Sequence, residues 1–342
     1  MMKRFCRLLA IACALLALTL GALAEGGPTL TRSNDVLKYI QEQQPMVFDM
    51  GETKFSIKQL TKLEEAMPEG SEFHFTIWYC KNWISDLSDT LDLDNTSAKV
   101  SKADLEWFLA HMPNLTKVNT FNHRELSNDI IIPLMEQYPE IEFGWLVRLT
   151  SSYVIRSDAT AFSTNKHVGS EPYLRASNME VLKYVPGLKA IDVGHNKIED
   201  ISWLQYFPEV NILILADNRI EDISPLADLH ELEYLEIFMN NISDVTPLAG
   251  LEHLRDLNLC RNKLTDTDLS VLDGLELERF WCTQAGVSAE AQQRFIEANP
   301  ETYCNFTIGS CTDDGWRDSY KYTQFRAMFR DRVWFPFDRP TE

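Results

Sequence analysis

The sequence predicts an α/β solenoid. Each coil of the right-handed stack would give one short strand to a curved parallel sheet on a concave face and one 3₁₀ or α-helical return on a convex face. Three observations predict it. Nearly the same nine residues recur every 22 positions: NKIEDISWL from Asn196, NRIEDISPL from Asn218 and NNISDVTPL from Asn240. Within each unit the apolar spacing changes from two to three, as a strand passing into a tight helix requires. The first half repeats more faintly, at offsets of 70 or 71.

The strands come from the aligned units. Leu188, Ile191, Val193 and Asn196 in one correspond to Val210, Leu213, Leu215 and Asn218 in the next. Leu232, Leu235, Ile237 and Asn240 follow, then Leu254, Leu257, Leu259 and Asn262. A fifth unit, Leu277, Phe280 and Cys282, starts one residue late and lacks the Asn. Residues two apart, such as Leu213 and Leu215, share one strand face. Asn196, Asn218, Asn240 and Asn262 are placed to turn the chain off the strand, their amides satisfying backbone groups as a ladder between repeats. Ile220, Ile223, Leu226, Leu229 and Leu232 then keep a period of three, which fits a 3₁₀ return. Ser224-Pro225 and Thr246-Pro247 read as a cap residue followed by proline at the first helical position.

In the first half, VFDMG at Val47 and KVNTF at Lys117 each precede a helical stretch and a PE-containing turn that ends at Phe73 or Phe143. An expected β-hairpin follows in each copy, HFTIWYCKNWISDL and GWLVRLTSSYVIRS. LEWFLAHMPNLTKV and MEVLKYVPGLKAI then supply a helix, a proline and a new strand. After the regular units come a capped helix from Ser288, a strand in YCNFTI, and a segment carrying Tyr322, Phe325, Phe329 and Arg332 at helical spacing. That last helix is expected to cap the open end of the stack, with docking to a partner as the second reading. The expected organisation is a signal peptide at 1–24, a degenerate repeat region with a duplicated module and two hairpins at 25–185, regular units at 186–287, and a helix–strand unit with an aromatic capping helix at 288–342.

The repeat motif resembles leucine-rich repeats of the internalin type. Together with RSDATAFST and the array from Leu213 to Cys260, it is similar to secreted leucine-rich repeat proteins of Gram-positive bacteria, including uncharacterised Firmicutes members. The resemblance implies ligand binding on a concave sheet and implies no enzymatic activity. The chain lacks an LPxTG-like sorting tail, and its first half is not a simple internalin cap, so host-cell invasion is not carried over.

Composition narrows the partners. The 342 residues are 45% hydrophobic, enough for a substantial core. Lys3, Arg4 and Arg7 precede an apolar run and an Ala22–Ala24 cleavage site, so Sec-dependent export with cleavage after Ala24 is expected, giving a secreted or cell-surface protein. Cleavage removes three basic residues and takes the net charge from −19 to −22. That balance argues against nucleic acid and anionic membrane surfaces. Five cysteines remain: Cys80, Cys260, Cys282, Cys304 and Cys311. Their pairing stays open, with Cys304 and Cys311 close enough in sequence to bridge a turn, Cys260 expected as a free thiol and Cys282 facing away from it. No zinc spacing, HExxH, GxSxG or phosphate loop is present, and the acidic runs fail calcium-loop spacing. No cofactor, metal or catalytic residue is expected, and His195 beside Asp192 lacks a nucleophile.

The candidate ligand face consists of the strand positions between the inward ones. Ile212, Ile214, Tyr234, Phe238 and Trp281 would make an apolar and aromatic patch bordered by Asp192, Glu236 and Asp256, with Asn258 and Arg279 on the same face. Exposed aromatics rimmed by charge suit an interface centre. The expected function is therefore recognition of a protein or glycan, without catalysis. The alternative is an envelope component that stacks through its ends or edges. The patch would lose its role if the hairpins or the C-terminal segment folded over it.

Overall fold

The structure is a computed structural model describing residues 31–337, apart from 96, 97, 167, 168, 170, 266, 308 and 314. The expected signal peptide lies outside the described residues. The chain divides into two compact units between Leu146 and Val147. The boundary expected at residue 185 therefore falls inside the second unit.

The first unit alternates helices with short strands. Helix α1 (Ser33–Gln43) precedes β1 (Val47–Thr53), α2 (Ile57–Glu64), β2 (Glu72–Tyr79) and β3 (Asn82–Ser85). After β4 (Thr90–Asp92) and α3 (Lys102–His111), a related series begins with β5 (Lys117–Asn119), α4 (Asn128–Gln137) and β6 (Glu142–Gly144). β1 pairs parallel with β2, and β2 pairs antiparallel with β3, making the hairpin at Trp78 and Trp83. β4, β5 and β6 form a separate parallel sheet. Ser56 starts α2 with a reciprocal bond to Gln59, and Ser101 caps α3 through the Asp104 amide.

The second unit is built on a seven-stranded parallel sheet. Its strands are β9 (Ala161–Ser163), β10 (Ala190–Asp192), β11 (Ile212–Ile214), β12 (Tyr234–Glu236), β13 (Asp256–Asn258), β14 (Arg279–Trp281) and β15 (Tyr303–Asn305), in chain order across the sheet. Between β6 and β9 lies a two-stranded sheet of β7 (Leu146–Arg148) and β8 (Val154–Arg156). Returns at Ser202–Tyr206, Ser224–Leu226, Thr246–Leu248 and Leu269–Leu272 are 3₁₀ turns, matching the period of three. MEVLKYV is mostly 3₁₀ as well, after the four-residue α5 (Ala176–Met179). The later helices are α6 (Ala289–Ala298) and α7 (Tyr320–Asp331).

The asparagines carry the turns. Asn240 Nδ2 donates to Leu215 O at 3.0 Å and Ile237 O at 3.1 Å, while its Oδ1 accepts from Ile220 N at 3.0 Å. Asn218 and Asn262 repeat this pattern one unit earlier and later. Asn196 accepts from Leu174 N at 2.9 Å. In the fifth unit the Ala285 carbonyl takes the place of the missing amide oxygen, accepting from Leu264 N at 2.7 Å. Each Asn follows a residue in the left-handed region: His195, Asp217, Met239 and Arg261. The buried amide bonds hold that conformation against its intrinsic cost of ~1–3 kcal/mol. Ser224 and Thr246 are not the cap acceptors expected from sequence. Their amides instead donate to Asp222 and Asp244, each at 2.8 Å. A proline just after Ser224 or Thr246 does not disturb this bond, because the donated N–H belongs to the residue before it.

The apolar inner face of the sheet, with Leu213, Leu235, Leu257 and Phe280, packs against the apolar residues of the returns and is buried. The outer face holds Ile212, Tyr234, Asp256 and Trp281, and it is covered too. After β15 the chain turns back, and Trp316 and α7 lie across it. The aromatic helix thus serves as a cover over the sheet rather than a cap beyond its last strand. Its Phe325 ring lies 5.1 Å from Tyr234.

Candidate functional site

Strand register places the sequence-predicted strand residues on one face. Asp192, Ile214, Glu236, Asn258 and Trp281 align across five strands, and Ile212, Tyr234, Asp256 and Arg279 across four. The expected exposure is where the structure differs. Ile212, Tyr234, Asp256 and Asn258 are fully buried, Trp281 is 1% exposed, and Phe238, Ile214 and Glu236 are buried. Asp192 and Arg279 retain partial access. The apolar patch is buried because the protein's own C-terminal segment supplies complementary aromatics and donors.

That cover is tied down at both ends. Trp316 Nε1 donates to Glu236 Oε1 at 2.8 Å, and its ring sits 5.0 Å from Trp281 and 5.4 Å from Tyr234. Tyr234 also donates to Glu236. Lys321 Nζ reaches Asp256 Oδ2 at 2.5 Å and Glu278 Oε2 at 3.0 Å, and Arg279 bonds the other Asp256 oxygen. Asp256 therefore borders no open surface; it is the centre of a buried ion cluster. At the far end Trp334 N donates to Thr160 Oγ1 at 2.7 Å.

A cavity of about 1300 Å³ remains beside the cover, reaching the C-terminal ends of β9 to β12. Asp192, Ile214, Glu236 and Phe238 line it, together with Lys166, Arg261, Arg317, Arg326, Arg330 and Arg332. Six cations against two carboxylates is the reverse of the chain's overall balance. The carboxylates are already occupied. Asp192 accepts from Ser163 Oγ at 2.7 Å and Gly194 N at 3.1 Å. Burial raises the pKa of both Asp192 and Glu236, while these bonds and the Arg317 charge pull the other way. Arg330 pairs with Asp331, and Arg332 donates to Val154 O. Arg317 and Arg326 are exposed and approach the Tyr322 ring at 5.6 and 5.7 Å. Among the described residues neither lies within ion-pair distance of a carboxylate. Sequence reasoning missed this group. Its signal was the interleaving of Arg317, Lys321, Arg326, Arg330 and Arg332 with aromatics in an otherwise acidic chain.

Two histidines with carboxylate partners are His195 and His74. His195 Nδ1 lies 2.9 Å from Asp217, one unit along from the Asp192 beside which sequence placed it. His74 contacts Asp86 at 2.8 Å, and that hydrogen bond raises its pKa. Among the described residues no cluster of three His, Cys, Asp or Glu could hold a metal ion, and no helix is long and apolar enough to cross a membrane.

The family model for leucine-rich repeats matches residues 208–250. No curated protein matches the chain. Among solved structures, an internalin (inlF) from Listeria monocytogenes is 19% identical with a TM-score of 0.39, over 78% of this chain and 70% of that one. Internalin C2 of the same organism is 21% identical with a TM-score of 0.36, over 61% and 84%. A leucine-rich repeat protein of Leptospira interrogans is 14% identical with a TM-score of 0.34, over 76% and 71%. The match and the 22-residue coils agree that this chain carries leucine-rich repeats, which form its parallel sheet.

Proposed function

We propose that this is an exported, non-enzymatic recognition protein that binds an acidic segment of a partner protein in the cavity beside its C-terminal cover. The supporting observation is the exposed pair Arg317 and Arg326 flanking Tyr322, neither in an ion pair among the described residues, in a cavity where cations outnumber acids. Guanidinium groups are suited to bidentate carboxylate recognition. Repeat scaffolds present such surfaces to partners. Asp192, Ile214, Glu236 and Phe238 keep their place in the reading as the cavity floor. Ile212, Tyr234, Asp256, Asn258, Arg279 and Trp281 instead hold the cover.

The test uses residues 25–342 and a labelled oligoglutamate peptide, with a heparin fragment as the sulfated-glycan counterpart. Fluorescence anisotropy is expected to show peptide binding that weakens with salt and falls at least tenfold in Arg317→Glu/Arg326→Glu. No peptide binding by the wild type would overturn the reading. Binding of heparin alone would replace the protein partner with a glycan.

A further inference from the structure

We infer that Cys260 and Cys311 form a disulfide that locks the C-terminal cover onto the sheet. The two residues are about 50 positions apart in sequence. One side chain holds them together: Asn258 Oδ1 accepts from Cys260 N at 3.2 Å, while Asn258 Nδ2 donates to Cys311 O at 2.7 Å. Both cysteines belong to the same buried cluster as Trp281 and Trp316. Thr283 N also donates to the Cys260 sulfur at 3.3 Å, which stabilises a thiolate there. The pairing that sequence proximity left open, Cys304 with Cys311, has no such support. Cys304 pairs in register with Phe280, whose side chain belongs to the inner face.

The chemistry is thiol–disulfide exchange with a small-molecule disulfide of the glutathione type, which reaches Cys311 through the cavity that Cys311 lines. One cysteine thiolate attacks the small disulfide and expels a thiolate. The second cysteine then attacks the mixed disulfide and expels another. Two protein thiols are oxidised, one small disulfide is reduced to two thiols, and the two cysteine protons pass to the leaving thiolates. The bond fixes the wall that carries Arg317 and Arg326, but its formation does not depend on what the cavity binds.

Residues 25–342, reduced and then exposed to oxidised glutathione, are digested without reductant and mapped by mass spectrometry. The expected product links the Cys260 and Cys311 peptides, and thiol titration of the denatured protein falls from five to three. Oxidation is also expected to lower the unfolding equilibrium constant by about a thousandfold, the effect of closing a loop of about 50 residues. Cys311→Ser is expected to keep four free thiols and gain no stability. Five thiols remaining in the wild type, stable glutathione adducts, or a Cys304–Cys311 link would each overturn the assignment.

Discussion

Trp316→Ala removes the anchor of the C-terminal cover. The side chain is fully buried, packs on Tyr234 and Trp281, and donates to Glu236. An aromatic of this size buries roughly 200 Å², worth ~5 kcal/mol at ~25 cal/mol per Å². Alanine recovers little of that, and measured tryptophan truncations cost about 3–5 kcal/mol. The lost indole donor adds to the cost, but Tyr234 still satisfies Glu236. The expected loss for the second unit is therefore about 4 kcal/mol. Trp316→Phe keeps most of the packing and should cost about half as much. Urea unfolding of the whole chain, followed by near-ultraviolet circular dichroism, measures both variants. A hydrophobic dye reports exposure of Ile212, Tyr234 and Trp281 in native buffer. A loss below about 1 kcal/mol without dye binding would refute the argument that this contact holds the cover closed.

Asn240→Ala should cost about 2 kcal/mol by urea unfolding, because it orphans Ile220 N in the interior, while Leu215 O and Ile237 O keep their bonds from Asn218 and Asn262. Glu236→Gln tests the buried carboxyl. Its folded pKa lies above the unfolded one, so the native state holds the proton more tightly and stability falls as pH rises through the folded value. Gln cannot ionise, so the stability of the variant relative to wild type should increase from pH 4 to pH 7 in paired urea titrations. A flat difference would contradict the assigned direction. His74 should titrate by NMR above its ordinary 6.5, with the Asp86 hydrogen bond as the main cause, and Asp86→Asn should remove the elevation. The stability linked to His74 is present below the unfolded pKa and is lost as pH rises through the folded value. Lys321→Met should destabilise by about 3–5 kcal/mol, because Asp256 loses one of its two cationic partners in a fully buried position.

The period by itself determined the parallel sheet, the 3₁₀ returns and the alignment of Ile212, Tyr234, Asp256 and Arg279 on one face. Such features are local. A two-residue alternation sets a strand face, a three-residue spacing sets the return, and a buried Asn sets the turn, each read within one 22-residue unit. The fate of the outer face was not local. Aromatic positions there satisfy the same pattern whether they meet a ligand or the chain's own tail. Only the tertiary structure brought Trp316, Lys321 and Cys311 back to Glu236, Asp256 and Cys260, over separations of 80, 65 and about 50 residues. Periodicity carries no information about such returns. The final segment covered the sheet because apolar area, one buried ion cluster and complementary donors were available to it there. The same return left Arg317 and Arg326 at the mouth of the cavity.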